Sequence, residues 1–157
     1  MTRPSLIAAL ALLTGPAWAE VDLPTAQSCF TARTDATTCI DAAQEDCLTE
    51  LQSAPAAAAL CYGKAQAVWG SGITARMDAI ATQADETLTA VARIETQYDL
   101  LANMLQCDKV EALSKAASDL TGEQILAQKA ACQSTATGLT YMRLFMRSRA
   151  MDLPAAN

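Results

Sequence analysis

Between Cys61 and Cys107 nothing in the chain stops a helix, and every other element has to fit around that stretch. Apolar residues recur at Ile73, Met77, Ile80, Ala84, Leu88, Val91, Ile94, Tyr98, Leu101 and Leu105, no proline interrupts them, and the last glycine is Gly72. Steps of three and four return to one side of an α-helix, whereas a strand would need steps of two. One helix from Ala56 to Ala117 would extend roughly 90 Å at 1.5 Å per residue, out of proportion to a compact chain of this length. A hairpin is therefore expected. Its turn falls at Gln83-Ala84-Asp85-Glu86, where Asp85 caps the second arm and Glu86 meets the positive end of the helix.

The flanking segments carry their own start and stop signals. Pro24 suits the first turn of a short helix over Thr25 to Arg33. A second helix is expected from Thr38 to Gln52, with Thr38 and Asp41 as an approximate capping box. Ile40, Ala43, Cys47 and Leu51 mark its inner face, and Asp41, Glu45, Asp46 and Glu50 an acidic outer one. Ser53 and Pro55 begin the next helix as cap and first-turn residue. Gly70 and Gly72 weaken that helix by about 1 kcal/mol each relative to alanine, which calls for a kink or a second helix crossing close by. Trp69, on the inner face beside a cysteine, is expected in the core. Thr121 and Gln124 form a capping box for a last helix from Glu123 to Met151, with Ile125, Ala131, Leu139, Met142, Phe145 and Met146 facing inward.

Residues 1–19 have the layout of an export signal: Arg3, an apolar run from Leu6 to Leu13, and Ala17-Trp18-Ala19 before Glu20. The run is shorter than the roughly 20 residues of a membrane span, and no later segment is longer. The expected mature chain is one helical domain over 20–153 with a frayed tail at 154–157, delivered to the periplasm or the exterior. Export also gives the 6 cysteines a meaning, because disulfides persist outside the cytosol. With 0 histidines in the chain, no C-x2-C pair and wide spacings, a zinc site is the weaker reading. Each cysteine pair that flanks a turn would staple a helical hairpin: Cys29 with Cys39 across the first break, Cys47 with Cys61 across Pro55, Cys107 with Cys132 across Thr121-Gly122. The fold class is all-α: a disulfide-stapled bundle built on a long antiparallel hairpin, a C-terminal helix and two short N-terminal helices.

Composition argues against catalysis. The absence of histidine removes the commonest general base and the orienting member of most nucleophilic triads. The nearest carboxylates, Asp41 with Glu45 and Asp46 with Glu50, have i, i+4 spacing in a polar setting with nothing to raise a pKa. No phosphate loop or dinucleotide fingerprint is present, and Cys39 and Cys47 are too far apart for a C-x-x-C redox pair. No enzyme activity, cofactor or metal is expected. The formal net charge is −6, and Arg33 is the only basic residue between Glu20 and Glu50. Such a surface disfavours nucleic acid and favours a basic protein, for which Asp41, Glu45, Asp46 and Glu50 are the candidate contacts.

Cys61 with Trp69 eight positions on, an apolar residue at Ile73, a helical hairpin, Cys107, and Cys132 with Thr137 five positions on together resemble the LprI-like lysozyme-inhibitor domain family. The upstream CFTARTDATTCIDAAQEDC segment is similar to the cysteine-rich extension of some of its versions. The likeness runs from Cys29 to Arg149. Where the family tends to carry Glu, Asp, a Leu-Asn pair and Tyr, this chain has Ala65, Gly70, Ile73-Thr74 and Met77. The second-arm pattern of Gln, Trp and Arg-Asp is absent near Thr96, Asp99, Asn103 and Met104, with Gln97 and Tyr98 one step away. The resemblance implies an exported, non-catalytic binding protein that obstructs a cationic lysozyme-type hydrolase. The alternatives are an envelope structural or adaptor protein with an unrelated partner, and a family member that keeps only the fold.

Overall fold

The computed structural model describes residues 21–32, 35–149 and 151. The expected export segment and the tail 154–157 lie outside them. The described residues form six α-helices and no strand: α1 (Leu23–Ala32), α2 (Ala36–Ala43), α3 (Glu45–Ser53), α4 (Pro55–Gln83), α5 (Glu86–Ala117) and α6 (Gly122–Arg147). No helix among them is long and apolar enough to cross a membrane.

Local chemistry sets most of the boundaries. Asp85 caps α5, its Oδ1 accepting the Leu88 N–H at 2.8 Å. Thr121 Oγ1 accepts the Gln124 N–H at 3.3 Å while Gln124 Oε1 accepts the Thr121 N–H at 2.9 Å, a complete capping box. Pro55 occupies the first turn of α4. Three expectations change. The helix expected over Thr38 to Gln52 is two helices, broken at Gln44, whose N–H turns back to the Asp41 carbonyl. Asp35, not Thr38, caps α2: its Oδ1 accepts the Thr37 N–H at 3.0 Å, and Thr38 gives its own hydroxyl to Asp35 Oδ2. Ser53 stays within α3, and Ala54 precedes α4 without a side-chain cap.

The Gln44 break is held from inside. Ser134 of α6, fully buried, donates to Gln44 Oε1, and Gln44 Nε2 donates to the Ile40 carbonyl at 3.3 Å. A polar side chain on the inner face is tolerated there because its hydrogen-bonding groups are used.

α6 is the axis of the bundle. α4 packs along one side of it, α5 along another, and α2 and α3 cover part of the rest. The two arms of the hairpin meet each other sparsely, and each seats on α6 instead. α4 buries Ala58, Cys61, Tyr62, Ala65, Trp69, Gly72, Ile73, Arg76 and Ile80, a run of one, three and four residue steps that keeps one face inward. From Ser134 to Phe145, α6 is buried on most sides, whereas Met146, expected inside, is exposed. The disulfides join Cys29 to Cys39, Cys47 to Cys61, and Cys107 to Cys132. Each closes a turn between consecutive helices, and each contributes on the order of 3 kcal/mol in the chain-entropy model.

Trp69 is fully buried, its ring centroid 5.7 Å from that of Tyr141 on α6. The glycines beside it differ in role. A Cβ at Gly72 would stand 2.8 Å from Tyr141 Cε2 and 2.9 Å from Leu23 Cδ1, so α6 and α1 both press on the α4 backbone there. A Cβ at Gly70 would meet nothing within 4 Å. Gly72→Ala is accordingly expected to destabilise by about 1–3 kcal/mol through overpacking, and Gly70→Ala to stabilise by about 0.5–1 kcal/mol through helix propensity. Denaturant unfolding of the oxidised proteins measures both, and equal effects would contradict the close crossing.

Candidate functional site

The acidic face lies where α2 meets α3. Ile40 and Cys47 point into the core, which turns Asp41, Glu45 and Asp46 to solvent and leaves Glu50 half-buried at the far end of α3. Glu45 and Asp46 stand in the first turn of α3, where the helix dipole favours negative charge. Asp41 and Glu50 have no such support. None of the four pairs with a cation among the described residues. The field of Asp41 extends to Tyr62 on α4, where burial first and Asp41 second push the phenol above its ordinary value. A recess of about 140 Å³ beside the break is lined by Val21, Gln44, Glu45, Asp46, Cys47 and Ala65. Two disulfides bracket the segment, since Cys39 ends one of them and Cys47 begins the next.

Four acids of α5 are in the opposite condition, while Glu86, in its first turn, pairs with no cation among the described residues. Asp99 pairs with Arg143 at 3.1 Å, Glu95 with Arg147, and Lys129 with both Glu111 at 2.6 Å and Asp108 at 3.0 Å. Every one of these crosses from α5 to α6. The sequence places both groups of acids on helices, but only the three-dimensional arrangement separates the unpaired from the paired.

Beneath the Glu95–Arg147 pair runs a groove of about 270 Å³ between α5, the end of α6 and the end of α4, lined largely by Ile80, Leu88, Val91, Leu144 and Met151. Its hydroxyls are committed: Thr140 donates to the Ala136 carbonyl at 3.1 Å and Ser148 to the Leu144 carbonyl at 2.7 Å. Ser148 also accepts from Arg76 Nε at 2.8 Å. Arg76, which sequence reading did not single out, is buried, and its guanidinium lies 5.0 Å from the centroid of the Phe145 ring. Burial pulls its pKa down, opposed by Tyr141. Among the described residues no three metal-ligating side chains converge, and no cysteine is free.

The Glu111 cluster gives the α5–α6 contact a pH dependence. Lys115 first and Lys129 second hold the Glu111 carboxyl down to about 2, against an ordinary value of 4.5. A depressed carboxylate contributes stability that is present above its unfolded value and lost as pH falls through the folded one. Glu111→Gln is therefore expected to lower the melting temperature at neutral pH, with the difference from the native chain closing between pH 4.5 and about 2. A difference independent of pH across that window would show that the ion pairs contribute nothing.

No family model, no curated protein and no solved structure matches the chain.

Proposed function

We propose that the chain is an exported, non-catalytic binding protein that engages a cationic protein through the acidic face of α2 and α3. The observation that supports it is the contrast between the two sets of acids. Glu95, Asp99, Asp108 and Glu111 of α5 are matched by cations from α6, whereas Asp41, Glu45 and Asp46 face outward, and Glu50 stands half-buried, with none among the described residues. Unmatched charge of one sign on a fixed surface projects a field that raises the encounter rate with an oppositely charged partner. The disulfides at Cys39 and Cys47 hold that surface in place before binding, so little ordering is needed on contact. The resemblance in cysteine and tryptophan spacing makes a lysozyme-type cell-wall hydrolase the target class.

Purified oxidised protein titrated into a panel of lysozymes at low salt is expected to slow cell-wall lysis by at least one of them, with inhibition fading as salt screens the field. Replacing Asp41, Glu45, Asp46 and Glu50 by lysine is expected to cut the association rate about tenfold or more. Undiminished lysis throughout the panel would remove the inhibitor reading. An envelope adaptor is the second reading, and a different observation favours it: the outward face of α5 is apolar.

A further inference from the structure

α5 is amphipathic the wrong way round for a helix that packs on one neighbour. Val91, Ile94, Tyr98, Leu101 and Leu105 are 47–69% exposed. The face toward the core holds Ala92, Leu100 and Met104 beside Thr96, Asp99, Asn103 and Cys107, so most of the large apolar side chains of α5 before Cys107 lie on the other side. Single exposed leucines are ordinary, but five large apolar side chains in one line form a patch that monomeric proteins seldom leave open.

The spacing of that line is more specific than its hydrophobicity. Its steps are three, four, three and four, an average of 3.5 residues, which keeps a seam straight against another helix but drifts away from a flat surface. We propose that this seam pairs with the same seam of a second copy, in an antiparallel arrangement. The reading is independent of the acidic face and its partner.

Three observations select this occupant. The first is charge: no charged residue occurs from Leu100 to Cys107, so the seam offers nothing for an oppositely charged partner to match and nothing for a second copy to clash with. An interfacial helix on a membrane would instead carry lysine and arginine all along its flanks, where this one mixes the signs, Arg93 with Glu95 before the seam's centre and Asp108 with Lys109 after it. The second is the direction. One further step of three past Leu105 brings the seam to Asp108. A parallel pair would set Asp108 of one copy against Asp108 of the other, whereas in the antiparallel arrangement it faces Val91. In the antiparallel register Tyr98 of one copy meets Leu101 of the other, and Ile94 meets Leu105. The flanking positions bring Glu95 against Ala102 and Gln97 against Met104, with no like charges opposed. The third is area. The six exposed side chains from Leu88 to Leu105 offer on the order of 600 Å² per copy, hence about 1,200 Å² for a symmetric pair, the lower bound of stable interfaces.

Sedimentation equilibrium of the oxidised chain over about 1 to 100 µM, the range that an interface of this size calls for, is expected to show a dimer. The double variant Tyr98→Glu with Leu101→Glu is expected to weaken dimerisation at least tenfold while its helix content and disulfide map stay unchanged, because both side chains are more than half exposed in the single copy. Orientation is read by mixing chains carrying Ile94→Cys with chains carrying Leu105→Cys, where cross-links between the two kinds should outnumber those within each. A native chain that stays monomeric over the whole range would overturn the proposal, and so would a dimer indifferent to the double glutamate variant. A monomer that sediments with zwitterionic phospholipid vesicles would replace the second copy with a lipid surface. Predominant Ile94→Cys self-cross-links would overturn the antiparallel arrangement.

Discussion

Two helices approach each other in this molecule by exchanging an aromatic ring for a glycine at two places. Tyr141 of α6 presses on Gly72 of α4, and Trp69 of α4 presses on Gly138 of α6, where a Cβ would stand 3.2 Å from the indole Cε2. Each glycine lies three residues after or before the ring on its own helix, so the two contacts are one turn apart and reinforce each other. The backbones can come close only because neither position carries a side chain, and the rings then fill the space that closeness creates. The small N-terminal helices depend on the same crossing. Ile40 of α2 touches the Gly138 position, Leu23 of α1 touches the Gly72 position, and Gln27 donates to the Tyr141 hydroxyl. The indole N–H of Trp69 finds no acceptor among the described residues, a cost of about 1–3 kcal/mol that the surrounding packing offsets.

α5 is attached by different means. It brings only Ala92 and Leu100 to the main core, and its ion pairs are partly exposed, a class worth about 0–1 kcal/mol apiece. The Cys107–Cys132 bond and the capped turn at Asp85 therefore do most to keep it in place. A helix held covalently does not need its hydrophobic residues for its own docking. This is the physical reason that Ile94, Tyr98, Leu101 and Leu105 are free to face outward, with Val91 at the rim of the groove.

The sequence made the helices, the Asp85 turn and the Thr121 capping box readable because each rests on local chemistry: periodicity, a side-chain acceptor at the right offset, proline in a first turn. The Gln44 break was not readable. It depends on Ser134, ninety residues away in the chain, and nothing between Thr38 and Gln52 announces it. The direction of the α5 apolar stripe was present in the sequence in a form that periodicity alone does not expose. Cys107 lies two residues past Leu105, about 200° round the helix at 100° per residue. A cysteine committed to Cys132 must face α6, so the stripe must face away. Periodicity finds that a stripe exists, and the disulfide says which way it points. For the acidic face, the residues were legible but their isolation was not, because pairing on α5 involves cations supplied by α6.

The two surfaces follow from a single division of charge. α6 supplies Lys129, Arg143 and Arg147 to the side where α5 lies, and in doing so neutralises that side of an acidic chain. The α2–α3 end receives no cation among the described residues and keeps its field. A neutral apolar seam can approach its own copy without electrostatic penalty, and an unneutralised end cannot. Self-association is therefore directed to α5 and away from α2 and α3 by the same arrangement that leaves the acids available to a cationic partner. The seam on α5 includes none of Asp41, Glu45, Asp46 and Glu50, so a substitution that abolishes one contact leaves the second intact.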